Sequence, residues 1–259
     1  MKFNKILDTG FLLIIAACSL YFSVKHKINV VFIGDSITQG EEGITPTPDF
    51  AIAFLKQQAG IGQVKYSNQG ISGCTTVNFL PSTATHFPDV VKAADNFYAD
   101  KDATLIFSIM LGTNDSAIFG PLGSPVSPGS YANNMKIIIN RLLKDYPSSK
   151  IIIHYPIWYS PNTYNTSKYM QEGLTRLQSY FPVIEALVKN YSKTNPGHVF
   201  TGDKLAFRYF KEHHLTQMLK ESGQQGIFYL HPNEKGSIEL GNFWGKAISK
   251  IAQHRKEKD

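Results

Sequence analysis

The sequence predicts an α/β protein, a three-layer α/β/α sandwich built around a five-stranded parallel sheet. Two observations lead to this prediction: short apolar runs rich in β-branched residues recur along the chain, and segments with helical periodicity lie between them. At 259 residues, 42% of them hydrophobic, the chain is long enough to bury one sizeable core. We therefore expect one domain, residues 28–259, with right-handed crossovers between its strands.

Five strands are predicted from the apolar runs. The first run is β-branched and aromatic, as in a strand covered by helices on both faces. The third run is the most apolar and is expected at the centre of the sheet. In chain order the predicted strands are Asn29–Ile33, Val64–Ser67, Thr104–Leu111, Lys150–Tyr155 and Val199–Thr201.

Helices are predicted between and after these strands from apolar residues that recur at helical spacing. The clearest pattern follows Ser130, the expected cap, where Met135, Ile138, Ile139 and Leu142 share one face. The other predicted helices are Asp49–Gln58, Phe87–Tyr98, Tyr169–Tyr191 (which Pro182 could break), Leu205–Ser222 and a C-terminal helix with Leu240, Trp244, Ala247, Ile248 and Ile251 on its inner face.

Residues 1–27 are expected to lie outside the folded domain. Lys2 and Lys5 precede an apolar stretch, Phe11–Phe22, which is too short for a comfortable membrane span. Within it, Ile15-Ala16-Ala17-Cys18 is similar to a bacterial lipobox, in which the cysteine is lipidated. A cleaved signal peptide, a lipoprotein signal with lipidation at Cys18 and an uncleaved N-terminal anchor all remain open. Each of them predicts export, to the periplasm or the cell surface, with membrane contact only through this segment or its lipid.

The charge and motif content exclude several classes of function. The formal charge of +6 comes from scattered basic residues, without an Arg-rich or RNP-like motif, so nucleic-acid binding is not expected. The sequence contains no P-loop, no dinucleotide fingerprint and no Cys/His cluster with metal spacing. We therefore expect neither a cofactor nor a metal. Cys74 is interpreted as a small buried residue.

Ser36 follows the first predicted strand in the run Gly34-Asp35-Ser36. In an open α/β sheet the ligand crevice lies beyond the carboxyl ends of the strands, so this serine is expected in the crevice. A helix cap would explain the same run, because Asp-Ser is ordinary at a helix start. Three further blocks favour a catalytic serine: Asn68-Gln69-Gly70-Ile71-Ser72-Gly73, Gly112-Thr113-Asn114-Asp115 and His231-Pro232-Asn233.

In order and context these four blocks resemble the conserved blocks of the SGNH (GDSL) hydrolases, from Asn29 to the C-terminal helix. The resemblance, in particular to bacterial carbohydrate acetylesterases, implies the flavodoxin-like SGNH fold with strand order 2-1-3-4-5. It also implies that Ser36 is the nucleophile and His231 the general base. The backbone N–H groups of Ser36 and Gly73 and the side-chain amide of Asn114 would then form the oxyanion hole.

These roles suit the residue types. A serine hydroxyl needs an adjacent base to take its proton, and a histidine titrates near neutral pH. Removing one preorganised donor to the oxyanion typically costs about 3–4 kcal/mol of transition-state stabilisation. A glycine at 73 would let the backbone approach the substrate without a Cβ in the way. His154, at the end of the fourth strand, is the serious rival to His231 as the base.

One position departs from the family pattern. The family usually carries an aspartate three residues before the histidine, and here that residue is Phe228. A backbone carbonyl could orient His231, as in Ser-His dyads of some carbohydrate esterases of the superfamily. A distant acid, Asp203 or Glu221, could do so instead, and a catalytically inactive chain is the third interpretation. The dyad is the favoured hypothesis because the other blocks are intact.

Two long loops at the catalytic edge could shape a substrate site, Phe119–Ser130 and Pro156–Tyr164. The second carries Trp158 and Tyr159, which could offer flat faces to sugar rings or pack the loop against the body. We expect an esterase that removes acetyl or similarly small acyl groups from a carbohydrate, either a small molecule or a polysaccharide. The alternatives are lipase-like or thioesterase activity on longer acyl chains, and an inactive carbohydrate-binding module.

Overall fold

A five-stranded parallel sheet forms the centre of the protein in the computed structural model, which describes residues 25–253. The strand order is β2-β1-β3-β4-β5, so the predicted fold class and strand order are both confirmed. The strands are β1 (His26–Gly34), β2 (Ile61–Gly70), β3 (Ala103–Met110), β4 (Lys150–Ile153) and β5 (Val199–Thr201). β1 thus begins two residues before the expected start of the domain.

Seven α-helices lie in the described part of the chain and cover the sheet. The helices are α1 (Ser36–Gln39), α2 (Thr47–Lys56), α3 (Phe87–Tyr98), α4 (Pro128–Asp145), α5 (Met170–Thr194), α6 (Ala206–Gln217) and α7 (Glu234–Ala252). α2 and α6 pack against α7, whereas α4 packs against α5. None of the helices between residues 25 and 253 is both long and apolar enough to cross a bilayer.

The central strands are buried because helices cover both of their faces. Every residue from Ile28 to Gly34 is buried, and the ring of Phe32 stacks on Trp244 of α7 with centroids 5.9 Å apart. The one amide in this run, Asn29, donates to the carbonyl of Phe97 at 3.1 Å, which satisfies it inside the core. This rigid centre fixes where the carboxyl ends of the strands lie.

The start of α4 differs from the prediction, and α5 is continuous where a break at Pro182 was left open. The cap of α4 is Ser127, whose hydroxyl accepts from the Ser130 backbone N–H, and Pro128 fits the first turn. α5 runs without interruption through Pro182, because the buried side chains of Tyr180 and Ile184 on either side hold the helix against the core. Packing therefore outweighs the hydrogen bond that the proline cannot make.

The predicted helix Leu205–Ser222 is wrong beyond residue 217. α6 is already distorted at His213, and the chain turns extended at Met218. It then forms a two-stranded antiparallel hairpin of β6 (Glu221–Gly223) and β7 (Gly226–Phe228). Gly226 adopts a φ of +83°, a conformation that the turn needs and that glycine adopts without a steric penalty. Within this hairpin Glu221 lies directly opposite Phe228.

Candidate active site

Ser36 is the first residue of α1, at the carboxyl end of β1. Asp35 caps this short helix by accepting from the Ile37 backbone N–H at 3.0 Å. Gly34 permits the turn because a Cβ there would lie 2.0 Å from the Thr38 hydroxyl and 2.8 Å from the Met110 carbonyl. The strand end, the helix and β3 therefore meet too closely for any other residue, and the serine is held at the edge of the sheet.

His231 reaches Ser36 from the opposite end of the chain. Its Nε2 lies 3.0 Å from the Ser36 Oγ. Asn233 fixes the start of α7 by accepting from the Gly236 N–H at 3.1 Å and donating to the Thr216 carbonyl at 3.0 Å. The structure therefore brings the expected nucleophile and base together, in the arrangement that proton transfer needs.

Glu221 occupies the other nitrogen of His231. Its Oε1 lies 3.0 Å from Nδ1, and its Oε2 accepts from the backbone N–H groups of Leu230 and His231 at 3.2 and 3.1 Å. The carboxylate can only accept, so Nδ1 carries a proton and the Nε2 lone pair faces Ser36. No backbone carbonyl is needed to orient the imidazole, so the favoured dyad hypothesis is corrected to a Ser36–His231–Glu221 arrangement.

The hairpin explains how an acid can act although Phe228 stands at the family position. Phe228 is buried, with 1% of its surface exposed, and a carboxylate there would be costly. Its cross-strand neighbour Glu221 instead supplies the carboxylate. The acid thus comes ten residues before the histidine rather than three, on the adjacent strand.

Three carboxylates act on the pKa of His231. Burial works to lower this pKa, but the hydrogen bond and the charge of Glu221 work against it. The charges of Glu41 and Asp35 act in the same direction, and the resulting pKa is raised above its ordinary value. The folded protein therefore stabilises the imidazolium more than water does, and this is the form that His231 would take after accepting the serine proton.

Asp203, the other candidate acid, binds the backbone just ahead of α6. Its carboxylate accepts from the backbone N–H groups of Leu205 and Ala206 at 3.0 and 2.9 Å, at the start of α6. Its backbone N–H donates to Nδ1 of His154 at 3.0 Å. Asp203 is therefore bonded to another histidine altogether, and its candidacy as the acid partner of His231 is wrong.

His154 is a structural residue rather than a rival base. Because its Nδ1 accepts from a backbone N–H, its Nε2 carries the proton and donates to the Ser108 Oγ at 2.9 Å. The imidazole is fully buried, and burial lowers its pKa to about 3. Both nitrogens are engaged within the core, and neither is free for a substrate.

The side-chain amide of Asn114, the expected oxyanion donor, is held by two hydrogen bonds. Its Nδ2 donates to the Cys74 carbonyl at 3.0 Å, and its Oδ1 accepts from the Tyr169 hydroxyl at 2.6 Å. A carbonyl can only accept, which fixes the amide the right way round and leaves the second N–H of Nδ2 for a ligand. Tyr169 is a site residue that was not predicted from the sequence, because no motif around position 169 indicates this contact.

Gly73 has a φ of +76°, which explains why a glycine stands there. A Cβ at this position would meet no protein atom within 4 Å, so packing within the protein does not require a glycine here. Its backbone N–H has no partner among residues 25–253. The N–H of Ser36, at the first position of α1, likewise lacks an intrahelical acceptor. Both groups are thus available as donors.

Asp115 ties the two oxyanion blocks together. Its carboxylate accepts from the backbone N–H of Thr76 at 3.0 Å and also from the Thr76 hydroxyl. Thr76 begins the short 3-10 turn after Gly73, so this contact fixes the Gly73 block relative to Asn114. Burial raises the pKa of Asp115 to about 7.

The loop aromatics do not form a sugar platform. Trp158 and Tyr159 are 6% and 0% exposed, and the Tyr159 hydroxyl lies 2.9 Å from the Ser116 Oγ. Both rings pack the loop against the body, so of the two interpretations left open by the sequence the one with exposed faces is wrong. In the other long loop, Phe119–Ser130, two apolar side chains are exposed: Phe119 and Leu122, at 68% and 57%. Between residues 25 and 253, no cluster of three or more His, Cys, Asp or Glu side chains could hold a metal ion.

Comparison with known proteins identifies the family. The model of the GDSL-like lipase/acylhydrolase family matches residues 32–237, most of the chain. The chain belongs to this family. As a GDSL-like acylhydrolase it is a carboxylic ester hydrolase. No curated protein sequence matches the chain.

Solved structures share the fold of this GDSL-like protein at low sequence identity. Est24, a carbohydrate acetylesterase from Sinorhizobium meliloti, is 18% identical with a TM-score of 0.55, covering 87% of this chain and 100% of its own. The M. smegmatis aryl esterase is 17% identical, with a TM-score of 0.55 and coverage of 86% and 99%. The lipase/acylhydrolase from Enterococcus faecalis is 17% identical, with a TM-score of 0.53 and coverage of 86% and 96%.

The N-terminal predictions lie outside the described residues. Cys18, the candidate lipidation site, and most of the segment 1–27 precede residue 25, where the description begins. Export and lipid anchoring therefore stay predictions.

Proposed function

We propose that this protein is a serine esterase that removes small acyl groups, acetyl above all, from carbohydrate esters through an acyl-enzyme at Ser36. One observation carries the proposal: Ser36, His231 and Glu221 are linked in series by two contacts of 3.0 Å. A nucleophile, its base and the group that orients the base are the minimum for this chemistry.

In the first half-reaction the Ser36 Oγ attacks the ester carbonyl carbon while its proton moves to Nε2 of His231. The carbonyl oxygen becomes an oxyanion, which would accept from the N–H groups of Ser36 and Gly73 and from the Asn114 amide. When the C–O bond of the ester breaks, the leaving alcohol takes the proton from Nε2. The acyl group then remains on Ser36.

In the second half-reaction water replaces the alcohol. His231 takes a proton from the water, whose oxygen attacks the acyl carbon, and it returns that proton to Oγ as the carboxylic acid leaves. Glu221 keeps the proton of Nδ1 in place throughout and stabilises the imidazolium that forms twice per turnover.

The carbohydrate part of the proposal is supported by the shared fold with Est24, a carbohydrate acetylesterase. The aromatic loop no longer supports it, because Trp158 and Tyr159 are buried.

A second candidate function follows from the exposed side chains of Phe119 and Leu122. The Leu122 carbonyl accepts from the Thr75 hydroxyl at 2.7 Å, so this loop lies beside the Gly73 block. An apolar surface next to the oxyanion hole would favour esters with a longer or aromatic acyl group.

The inactive binding module loses its main argument. That interpretation depended on the missing acid at Phe228, and Glu221 now occupies the position beside Nδ1.

A fluorophosphonate probe and Ser36→Ala test the proposal together. We expect the probe to label the wild-type protein at Ser36 and the Ser36→Ala variant to lose ester hydrolysis and labelling with an unchanged Tm. Ser72→Ala removes an exposed serine hydroxyl near the same edge and serves as the matched control. Activity of Ser36→Ala within about tenfold of wild type, about 1.4 kcal/mol in barrier, would exclude Ser36 as nucleophile.

A series of p-nitrophenyl esters and an acetylated oligosaccharide separate the two candidate functions. A preference for the acetyl over the octanoyl ester, with release of acetate from the oligosaccharide, would support the carbohydrate acetylesterase. A higher kcat/KM for the octanoyl ester would support an esterase for longer acyl groups.

A further inference from the structure

A second carboxylate contacts the catalytic imidazole on the nitrogen that handles the proton. The Glu41 Oε1 lies 3.3 Å from Nε2 of His231, the same atom that faces Ser36. About a third of the Glu41 side chain is exposed. Within residues 25–253 this carboxylate has no other polar contact at hydrogen-bond or ion-pair distance. Glu221 already orients the imidazole through Nδ1, so Glu41 is not needed for that purpose.

The position of Glu41 is built into the fold. It lies in the short loop between α1 and α2, where Gly40 and Gly43 have φ values of +90° and +75°. The Thr45 N–H at the far end of the loop donates to the Glu234 carboxylate at 2.9 Å. Glu234 is the first residue of α7, three positions after His231. The loop with Glu41 is thereby fastened to the element that carries the base.

This position corresponds to the alcohol side of the ester. To receive its proton, the leaving oxygen must come within about 2.6–3.2 Å of Nε2. The substituents of the alcohol would therefore lie beside the Glu41 carboxylate, whereas the carbonyl oxygen of the acyl group would face the oxyanion donors. A carboxylate only accepts hydrogen bonds, and it repels other anions.

The other charged groups near His231 also disfavour an anionic alcohol. The charged groups that act on His231 are Glu221, Glu41 and Asp35, all acidic, although the whole chain has a formal charge of +6. Burial raises the pKa of Asp35 to about 6, so near pH 8 this carboxyl carries a negative charge. An anionic alcohol would meet an unfavourable local potential at the point where it has to leave.

We propose that Glu41 selects the alcohol half of the ester: it accepts alcohols with a hydroxyl or cationic group near the ester oxygen and rejects those with a carboxylate or phosphate. The inference rests on the proposed ester hydrolysis through Ser36 and His231, but not on the acyl group or on a carbohydrate. The inference specifies the chemical class of the alcohol, which the family assignment leaves open.

Three acetate esters with short alcohols test the inference at pH 8: 2-hydroxyethyl acetate, acetylcholine and O-acetylglycolate. We expect the wild-type kcat/KM for the anionic ester to be at least tenfold below that for the hydroxyethyl ester. In Glu41→Gln the difference in kcat/KM between these two esters should be at least about fivefold smaller, because the amide removes the charge at nearly constant volume. Glu42→Gln, on the exposed neighbouring residue, should leave the ratio unchanged.

The results that would overturn the inference differ from those that would overturn the function. Hydrolysis of all three esters with the same ratio in wild type and Glu41→Gln would exclude Glu41 as the selecting group. An equal loss for every ester in Glu41→Gln would likewise exclude selection and assign Glu41 to the orientation of His231. If the wild-type protein neither hydrolyses any ester nor reacts with the fluorophosphonate, the proposed function itself is wrong.

Discussion

At the scale of single residues, Glu221 is held by more than its contact with His231. One carboxylate oxygen faces Nδ1, and the other accepts from two consecutive backbone N–H groups. These contacts engage both oxygens of the carboxylate. The acid is therefore fixed in position before a substrate binds.

Glu221→Gln should lower kcat by about 10⁴. The two backbone N–H groups require an acceptor, so the glutamine carbonyl would turn to them and its NH₂ would face Nδ1. Nδ1 would then have to accept, which moves the imidazole proton to Nε2 and leaves no base for Ser36. Steady-state kinetics with p-nitrophenyl acetate, together with Tm, would measure the effect.

Asp203→Asn is the matched control, an acid-to-amide change in the segment before α6. Its activity should stay within about tenfold of wild type, since Asp203 does not contact His231. The amide can replace only one of the two carboxylate oxygens that accept from Leu205 and Ala206, so Tm should fall. If Glu221→Gln also stayed within tenfold, the Ser-His dyad would be the correct description after all.

At the scale of elements, the β6–β7 hairpin decides where the acid lies. The Gln224 N–H donates to the Tyr164 carbonyl at 2.8 Å, and the Asn162 amide donates to the Ile227 carbonyl at 2.7 Å. These contacts fasten the hairpin to the loop that follows β4. The hairpin therefore depends on that loop for its place beside His231.

Gly223→Ala should lower kcat at least tenfold, because the added Cβ would lie 2.3 Å from the Tyr164 carbonyl oxygen. The hairpin must move away from the loop, and Glu221, two residues earlier, moves with it; a small misplacement of this kind is costly to catalysis. Kinetics and Tm measured on the same preparations would separate the shift from unfolding.

Gly226→Ala provides the comparison within the same hairpin. Its Cβ would meet nothing within 4 Å, so its cost is the positive φ of +83°, about 1–2 kcal/mol. We expect a lower Tm with a smaller loss of kcat than in Gly223→Ala. Equal kinetics in Gly223→Ala and wild type would show that the hairpin does not position the acid.

At the scale of the whole molecule, His154 joins the layers beneath the catalytic edge. It bonds Ser108 of β3 and the backbone of Asp203 after β5, and its ring stacks on Trp244 of α7 with centroids 5.2 Å apart. The imidazole is thus a polar link between the sheet and one helical layer.

His154→Gln should make the protein less stable at pH 7.5 and less sensitive to acid. The unfolded chain protonates this histidine near pH 6.5, whereas the folded protein, with a pKa of about 3, does not. Wild type therefore loses stability as the pH falls from 6.5 towards 3, by about 2 kcal/mol at pH 5. The variant lacks this loss, so the difference between the two proteins should shrink on acidification.

Urea unfolding at pH 7.5 and pH 5 would check this prediction. His213→Gln, which removes an exposed histidine from α6, controls for the loss of one titratable side chain. A difference between wild type and His154→Gln that stayed constant between the two pH values would show that folding does not lower the pKa of His154.

The sequence by itself determined the fold class and the residues that follow the strands. Ser36, Gly73 and Asn114 stand directly after apolar runs, and parallel strands bring such positions to one edge whatever the rest of the chain does. His231 is located by its place before the last helix. Local pattern and chain order carry this information, so it can be predicted without coordinates.

Only the tertiary structure decided which acids face His231 and which aromatics face solvent. Glu221 reaches the imidazole across a hairpin that the sequence pattern assigned to a helix, and Glu41 reaches it from a loop between two helices. Trp158 is buried because packing its ring against neighbouring segments removes apolar surface from water. Such contacts depend on the path of the backbone and on packing between segments far apart in the chain, and spacing along the sequence does not encode them.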